Sequence, residues 1–371
     1  MPLPKANKTQ IYLEFIKDGQ KENLMKITID GALYEAQKGS TILQICRENK
    51  IEIPTLCQDD RLTPHSACRM CLVEIEGNKK LETSCSTVAR DNMIVYTKNE
   101  RVIEARREVL DLLLSNHPMD CLTCEKSGEC KLQDYAYEYG LPDGTYKGEM
   151  RSGAIDDSNH FYDYDPKKCI LCGLCVSVCS ELQCSHAIGF EDRGFDTIVA
   201  TPFEKGLINS TCVSCGNCVS VCPVGALLPK KKDKFRLWET KKVKTTCSYC
   251  GVGCQMDLLV KDNKVVQVEP SKMGANEGLL CVKGKFAYKF ISHKDRLKTP
   301  LIKKDGIFVE ATWDEAYKLI THKANEIKEE DGAEAFAGFS SARCTNEENY
   351  LFQKLFRAVL GTNNVDHCAR L

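Results

Sequence analysis

The residues able to do chemistry in this sequence are its cysteines, 23 among 371 residues. Cys57-x10-Cys68-x2-Cys71-x13-Cys85 offers four thiolates. The close pair suits one iron and the two distant cysteines close the loop around another, which is 2Fe–2S ligation; zinc sites usually show two tight pairs. His117-x3-Cys121-x2-Cys124-x5-Cys130 has three thiolates and an imidazole. A 4Fe–4S cluster of raised potential fits it, and so does a zinc site of three cysteines and one histidine. Cys169-x2-Cys172-x2-Cys175-x3-Cys179 and Cys212-x2-Cys215-x2-Cys218-x3-Cys222-Pro223 repeat one unit, in which the fourth cysteine serves the neighbouring cluster. Cys169, Cys172, Cys175 and Cys222 are therefore expected on one 4Fe–4S cluster, and Cys212, Cys215, Cys218 and Cys179 on the other. Ser180 stands where the second copy has proline. Cys247-x2-Cys250-x3-Cys254-x26-Cys281 is a fifth set. Its Gly251 and Gly253 permit close backbone approach, and its spacing suits a cubane better than zinc.

Scattered cysteines would place three more at prescribed positions after a given one with a probability of about 2 × 10⁻⁴, so chance does not produce five sets. Together they supply the ligands for one 2Fe–2S and four 4Fe–4S clusters. Cys46, Cys184, Cys344 and Cys368 are left over and read as packing residues, with Cys184, five residues after Cys179, also open as an alternative ligand. One or two clusters would staple modules of this size; five in a row make an electron path.

Composition narrows the setting. Lys and Arg number 51 against 52 Asp and Glu, a net charge of −1, without the basic excess of a nucleic-acid binder. The first residues show no apolar signal segment, no apolar run reaches ~18 residues, and the Arg106-Arg107 pair lies deep in the chain. A cytoplasmic location is expected, where thiols stay reduced and bind metal.

The elements that must position these ligands follow from patterning. Residues 1–24 read as a polar leader. In 25–99, Met25–Ala36 alternates around Asp30-Gly31 as a hairpin, Thr41 and Gln44 have capping-box spacing, and strands are expected at 71–76, 80–84 and 93–97. Residues 100–138 open with a helix over 101–115 and carry the set of one histidine and three cysteines. Residues 139–229 begin with a Gly-, Asp-, Tyr- and Ser-rich linker to about 168, then hold the repeat. A lysine run at 230–232 marks a boundary. Residues 240–297 hold the last cysteine set. In 298–371 a hairpin is expected about Asp305-Gly306, followed by a helix capped by Thr312 and Glu315.

Up to about residue 228 this order resembles the large iron–sulfur subunit of respiratory NADH dehydrogenase, multicluster iron-only hydrogenases and NAD-linked formate dehydrogenases. Cys-Ser-Tyr-Cys-Gly-Val-Gly-Cys (247–254) and Cys-Val-Lys-Gly-Lys (281–285) resemble the cluster domain of molybdenum/tungsten bis-pterin oxidoreductases. The stretches 342–350 (Ala-Arg-Cys-Thr-Asn-Glu-Glu-Asn-Tyr) and 361–371 (Gly-Thr-Asn-Asn-Val-Asp-His-Cys-Ala-Arg-Leu) closely resemble formate dehydrogenase catalytic subunits. The resemblance implies an α+β multidomain chain. Its order is a β-grasp 2Fe–2S ferredoxin-like module, a 4Fe–4S module ligated by one histidine and three cysteines, a bacterial two-cluster 4Fe–4S ferredoxin module, a 4Fe–4S domain and the start of a molybdopterin oxidoreductase α/β domain.

It also implies formate and CO2 as substrates and a Mo- or W-bis-molybdopterin guanine dinucleotide in the full-length enzyme. The implied partner is a flavin- and NAD(P)-binding iron–sulfur subunit, with ferredoxin or a hydrogenase subunit as alternatives. Lys283 matches the lysine between the proximal cluster and the pterin, an electron relay; Arg343, Asn346, Glu347 and Asn363 fall in segments lining the pterin cavity. The family's metal ligand, selenocysteine or cysteine, follows the position of Leu371 at once, so a UGA codon read as a stop is expected there. Two rivals stand beside this reading: an NADH dehydrogenase-type iron–sulfur subunit, and an electron carrier of a hydrogenase-linked complex.

Overall fold

The computed structural model describes residues 24–230 and 235–368; the leader to residue 23, most of the lysine run and positions 369–371 lie outside the described residues. Two compact units divide between Arg236 and Leu237, within the stretch separating the domains expected to end at 229 and start at 240. Among the described residues no helix is long and apolar enough to cross a membrane.

In the first unit, β1 (Leu24–Ile29) and β2 (Ala32–Gln37) form the expected hairpin. Its turn residues Asp30 and Gly31 have φ of 49° and 83°, the left-handed pair that matches the twist of paired strands. Helix α1 (Ile42–Glu48) starts at Thr41 with the capping box to Gln44 in place. Strands β3 (Leu72–Ile75), β4 (Glu82–Thr83) and β5 (Met93–Tyr96) complete a sheet of order β2-β1-β5-β3-β4, with β1 and β5 parallel. This is a β-grasp module. Ile27, Ile42, Ile45, Val73 and Val95 are fully enclosed in its core, and each such side chain contributes ~1.5–3 kcal/mol by leaving water. Cys46 is fully enclosed there too, its thiol pushed up to about 12 by burial, as a packing residue requires.

Helix α2 (Glu100–Leu114) is capped by the Asn99 side chain. Its buried Arg106 donates to the Leu72 carbonyl from Nη2 at 2.7 Å and Nε at 3.1 Å, tying the helix to β3. A second helix, α3 (Lys131–Glu138), begins directly after Cys130.

The segment expected as a linker contains strand β6 (Tyr162–Tyr164). After it come α4 (Leu174–Ser177), the β7 (Gly189–Glu191)–β8 (Ile198–Ala200) hairpin, α5 (Asn217–Val221) and β9 (Leu227–Pro229), which pairs antiparallel with β6. The sequence repeat is also a backbone repeat. Leu171 and Gly173 (φ 51° and 79°) match Ser214 and Gly216 (φ 53° and 74°), so each cysteine loop turns twice through left-handed conformations before its helix.

The second unit opens with an antiparallel meander not anticipated from the sequence: β10 (Lys241–Thr246), β11 (Gln255–Lys261) and β12 (Lys264–Pro270). The short α6 (Val282–Phe286) follows. The predicted hairpin is β13 (Leu301–Lys304) and β14 (Ile307–Glu310). Helix α7 (Trp313–Glu330) carries the predicted Thr312–Glu315 capping box and buries none of its residues. Strand β15 (Gly338–Ser340), helix α8 (Asn346–Lys354) and strand β16 (Val365–His367) end the described chain, with β15 and β16 parallel.

Candidate metal centres

The loop between α1 and β3, with the start of the segment after β4, gathers the first four cysteines. All four are buried. Their sulfurs pair Cys57 with Cys68 and Cys71 with Cys85, not the sequence-adjacent Cys68 with Cys71. Between them Arg69 takes a left-handed φ of 57°. Hydrogen bonding within each pair pulls Cys68 down to about 7 and Cys85 down to about 6 and pushes the donors Cys57 and Cys71 up. The Leu56 amide donates to Cys68 Sγ at 3.4 Å, and Ser66 Oγ lies 3.5 Å from Cys85 Sγ.

Cys121, Cys124 and Cys130 stand close enough to act on one another's ionisation. His117 is buried, and burial pushes its imidazole down to about 4, so the ring is neutral. Its Nδ1 is enclosed and has no hydrogen-bond partner among the described residues. A buried ring nitrogen without a partner is what a metal-ligating histidine leaves when the metal is removed. Lys168 Nζ bridges to Asp120 at 2.8 Å and also bonds Cys124. Arg236 donates to the Cys124 carbonyl at 2.7 Å. Neither cation is visible in the cysteine spacing.

The repeat places its fourth cysteines across the pseudo-symmetric pair. Cys222 acts on Cys172 and Cys175, while Cys179 acts on Cys215 and Cys218. Cys212, Cys215, Cys218 and Cys179 line one cavity with Tyr162, Tyr164, Val199 and Leu227. Amides of Leu171, Ser214 and Ala187 each donate at 3.4 Å, to Cys169, Cys212 and Cys179. Tyr162, Tyr164 and Asn159 also reach these sulfurs; they lie in the supposed linker, and only their position before the first repeat could have marked them.

The centres adjoin one another within this unit. Cys57 acts on Cys172. A Cβ on Gly225 would stand 3.0 Å from Cys124 Sγ, and Lys131 N donates to Pro223 O at 3.0 Å. The Cys169 set therefore borders both N-terminal sets and the Cys212 set. Cys184 is exposed and does not line the cavity, which removes its expected packing role; Cys368 is likewise exposed and Cys344 half-buried.

In the second unit Cys247, Cys250 and Cys281 all act on Cys254, and Cys247 N donates to Cys254 O at 2.8 Å. Lys283 is exposed on α6, whereas Lys285, unremarked in the sequence, is buried. Arg343, Asn346 and Glu347 lie exposed in the loop after β15 and the first turn of α8, at the carboxyl end of the strand pair, where ligands of parallel α/β sheets bind. Asn363 precedes β16 and sits at the amino end, so the structure does not bring it to the other three. Cys368, just beyond β16, rejoins the carboxyl end, its Sγ 3.6 Å from Ser341 Oγ.

No three His, Cys, Asp or Glu side chains among the described residues converge as on a single metal ion. Thiolates around a polynuclear core stand farther apart than those on one ion, and four cysteines, Cys179, Cys212, Cys215 and Cys218, line one common cavity.

Family models match five successive stretches of the chain. Residues 22–100 match a 2Fe-2S iron-sulfur cluster binding domain, 106–144 the NADH-ubiquinone oxidoreductase-G iron-sulfur binding region and 168–226 a 4Fe-4S dicluster domain. Residues 240–293 match the molybdopterin oxidoreductase Fe4S4 domain and 296–371 molybdopterin oxidoreductase. The chain thus carries in order a 2Fe-2S domain, an NADH-G-type iron–sulfur region, a 4Fe-4S dicluster domain, a molybdopterin oxidoreductase Fe4S4 domain and the start of a molybdopterin oxidoreductase domain.

Over 94% of its length it is 40% identical to a G-type subunit of NADH-quinone oxidoreductase from Rhizobium meliloti. It is 38% identical over 93% to "Putative formate dehydrogenase YrhE" of Bacillus subtilis, and 38% over 94% to the alpha subunit of an NADPH-Fe(3+) oxidoreductase of Geobacter sulfurreducens. The chain spans 40% of the length of each of these relatives. A solved NAD+-reducing [NiFe]-hydrogenase in the H2-reduced state aligns with TM-score 0.54 and 29% identity, over 57% of this chain and 91% of that one.

Proposed function

We propose that this chain is the electron-transferring iron–sulfur part of a molybdenum- or tungsten-pterin formate dehydrogenase, with five clusters on the twenty ligands named above. The observation carrying the reading is the exchange of Cys179 and Cys222 between the two repeats. That exchange builds two adjacent four-thiolate sites, an arrangement useful for passing electrons and needless for stapling a fold. The pterin metal, when bound, supplies the two-electron oxidation of formate to CO2. Cysteines of the chain would hold the one-electron centres, and amide and hydroxyl donors would fix their sulfurs. Arg343, Asn346 and Glu347, exposed at the carboxyl ends of the strand pair, would hold the pterin. Lys283, two residues beyond Cys281, would serve as the relay. The N-terminal modules dock a flavin- and NAD(P)-binding subunit.

A respiratory NADH dehydrogenase role is the second reading, favoured by the relative named for that activity. Anaerobic addition of formate, and separately of NADH, to the intact purified complex separates the two, read by the cluster EPR signals alongside molybdenum and tungsten analysis. Formate-driven reduction with one of those metals present supports the first reading; reduction by NADH alone, with neither metal, supports the second.

A further inference from the structure

We propose that Tyr162 and Tyr164, alternate residues of β6, each donate a phenol hydrogen bond to the leading cysteine of one ferredoxin-type centre, Tyr162 to Cys212 and Tyr164 to Cys169, and so raise the two cluster potentials separately. The inference rests on the proposed reading that these sets hold clusters.

Successive strand side chains point to opposite faces, so residues two apart share one. Pairing with β9 fixes that face: Tyr162 is opposite Pro229 and Tyr164 opposite Leu227, while Asp163 between them turns away to Lys230 at 3.1 Å. One strand therefore sends a phenol to each half of the repeat. Tyr162 is 1% exposed, with its hydroxyl 3.2 Å from Cys212 Sγ. A metal-bound thiolate carries no proton, so the phenol is the donor. The Tyr164 hydroxyl bonds the Cys169 sulfur. Its oxygen also accepts the Val199 amide at 3.4 Å, which leaves the hydroxyl hydrogen for the sulfur.

Adding an electron makes a cluster more negative, and part of that charge falls on its sulfurs. A donor to sulfur stabilises the reduced state more than the oxidised one, and hydrogen bonds to sulfur are among the factors that set cluster potentials. Enclosure strengthens the effect, since neither hydroxyl is screened by bulk water. Packing alone would need the rings but not the hydroxyls, and phenylalanine would serve.

The test uses that difference. In the intact, anaerobically purified protein, Tyr162→Phe and Tyr164→Phe are each followed by EPR-monitored redox titration with iron analysis. Each variant is expected to keep its iron and to lower the midpoint potential of one cubane, a different one in each case, leaving the other clusters unmoved. Replacing the same tyrosines singly by 3-fluorotyrosine keeps the ring and makes the hydroxyl a stronger donor, so the affected potential rises. This opposite shift decides the matter even where a phenylalanine variant loses its cluster. Absence of the two cubanes from the unaltered protein overturns the reading of the centres. Cubanes present, with potentials unmoved by both fluorotyrosines or by iron-retaining phenylalanine variants, overturn this inference alone.

Discussion

The Glu181 carboxylate accepts two hydrogen bonds from Thr63, from the amide at 2.9 Å and from the hydroxyl at 3.0 Å. Thr63 sits in the cysteine loop of the β-grasp module, and Glu181 lies two residues after Cys179. Beside them His65 Nε2 bonds Ser177 Oγ. These contacts hold the Cys57 loop against the helix carrying Cys175. Thr63→Val with Glu181→Ala removes the Thr63–Glu181 bonds without touching a ligand. Unchanged iron content is expected, together with slower electron exchange between the 2Fe–2S and Cys169 centres in freeze-quench EPR. An unchanged rate would show that the latch does not set their separation.

His117 is the one imidazole among the assigned ligands. His117→Ala is expected to remove one centre, about four irons per chain, while His117→Cys restores it at a lower potential, because thiolate makes the cluster more negative. Iron analysis and redox titration read both outcomes. An alanine variant with full iron content would release His117 from the ligand set.

The same residue gives a pH dependence. Burial lowers its folded-state value to about 4 from the ordinary 6.5, so between those values the unfolded chain binds a proton that the folded chain does not. Its contribution to stability is complete above pH about 6.5 and is lost as pH falls toward about 4, at no more than about 1.4 kcal/mol per pH unit. Bound iron acts in the same direction, since proton and metal compete for the ring. Denaturant unfolding across this window should show the slope, and His117→Ala should flatten it.

In the second unit a Cβ on Gly251 would stand 2.8 Å from the Ala342 carbonyl oxygen and 3.0 Å from that of Cys344. Both neighbours are backbone, which yields little. Gly251→Ala is expected to cost ~1–3 kcal/mol and to loosen the Cys250–Cys254 loop, giving partial loss of that centre's EPR signal. Gly306→Ala, in an open hairpin turn, should leave the signal intact and serves as the comparison.

Much of this fold was legible because its signals are local. Asp30-Gly31 and Asp305-Gly306 specify tight turns, and Thr41 with Gln44 and Thr312 with Glu315 specify helix starts. The cysteine sets stood out by their spacing, and the repeat predicted the crossed placement in which Cys222 acts on Cys172 and Cys179 on Cys218. What escaped depends on distant partners. β6 is three residues long and exists only through pairing with β9, some 65 positions later, so its segment read as a linker and Tyr162 and Tyr164 passed unseen. The pairing of Cys57 with Cys68, eleven positions apart and with a non-glycine left-handed turn at Arg69 just beyond, gives no local sequence signal. Asn363 read as a pterin contact by resemblance, but which strand end it occupies is settled only by the β15–β16 register.

The most direct test of the account is metal analysis with Mössbauer spectroscopy on anaerobically purified protein. About eighteen irons per chain are expected, with one 2Fe–2S and four 4Fe–4S signatures. Zinc in place of iron, or an iron content sufficient for only one or two centres, would contradict it.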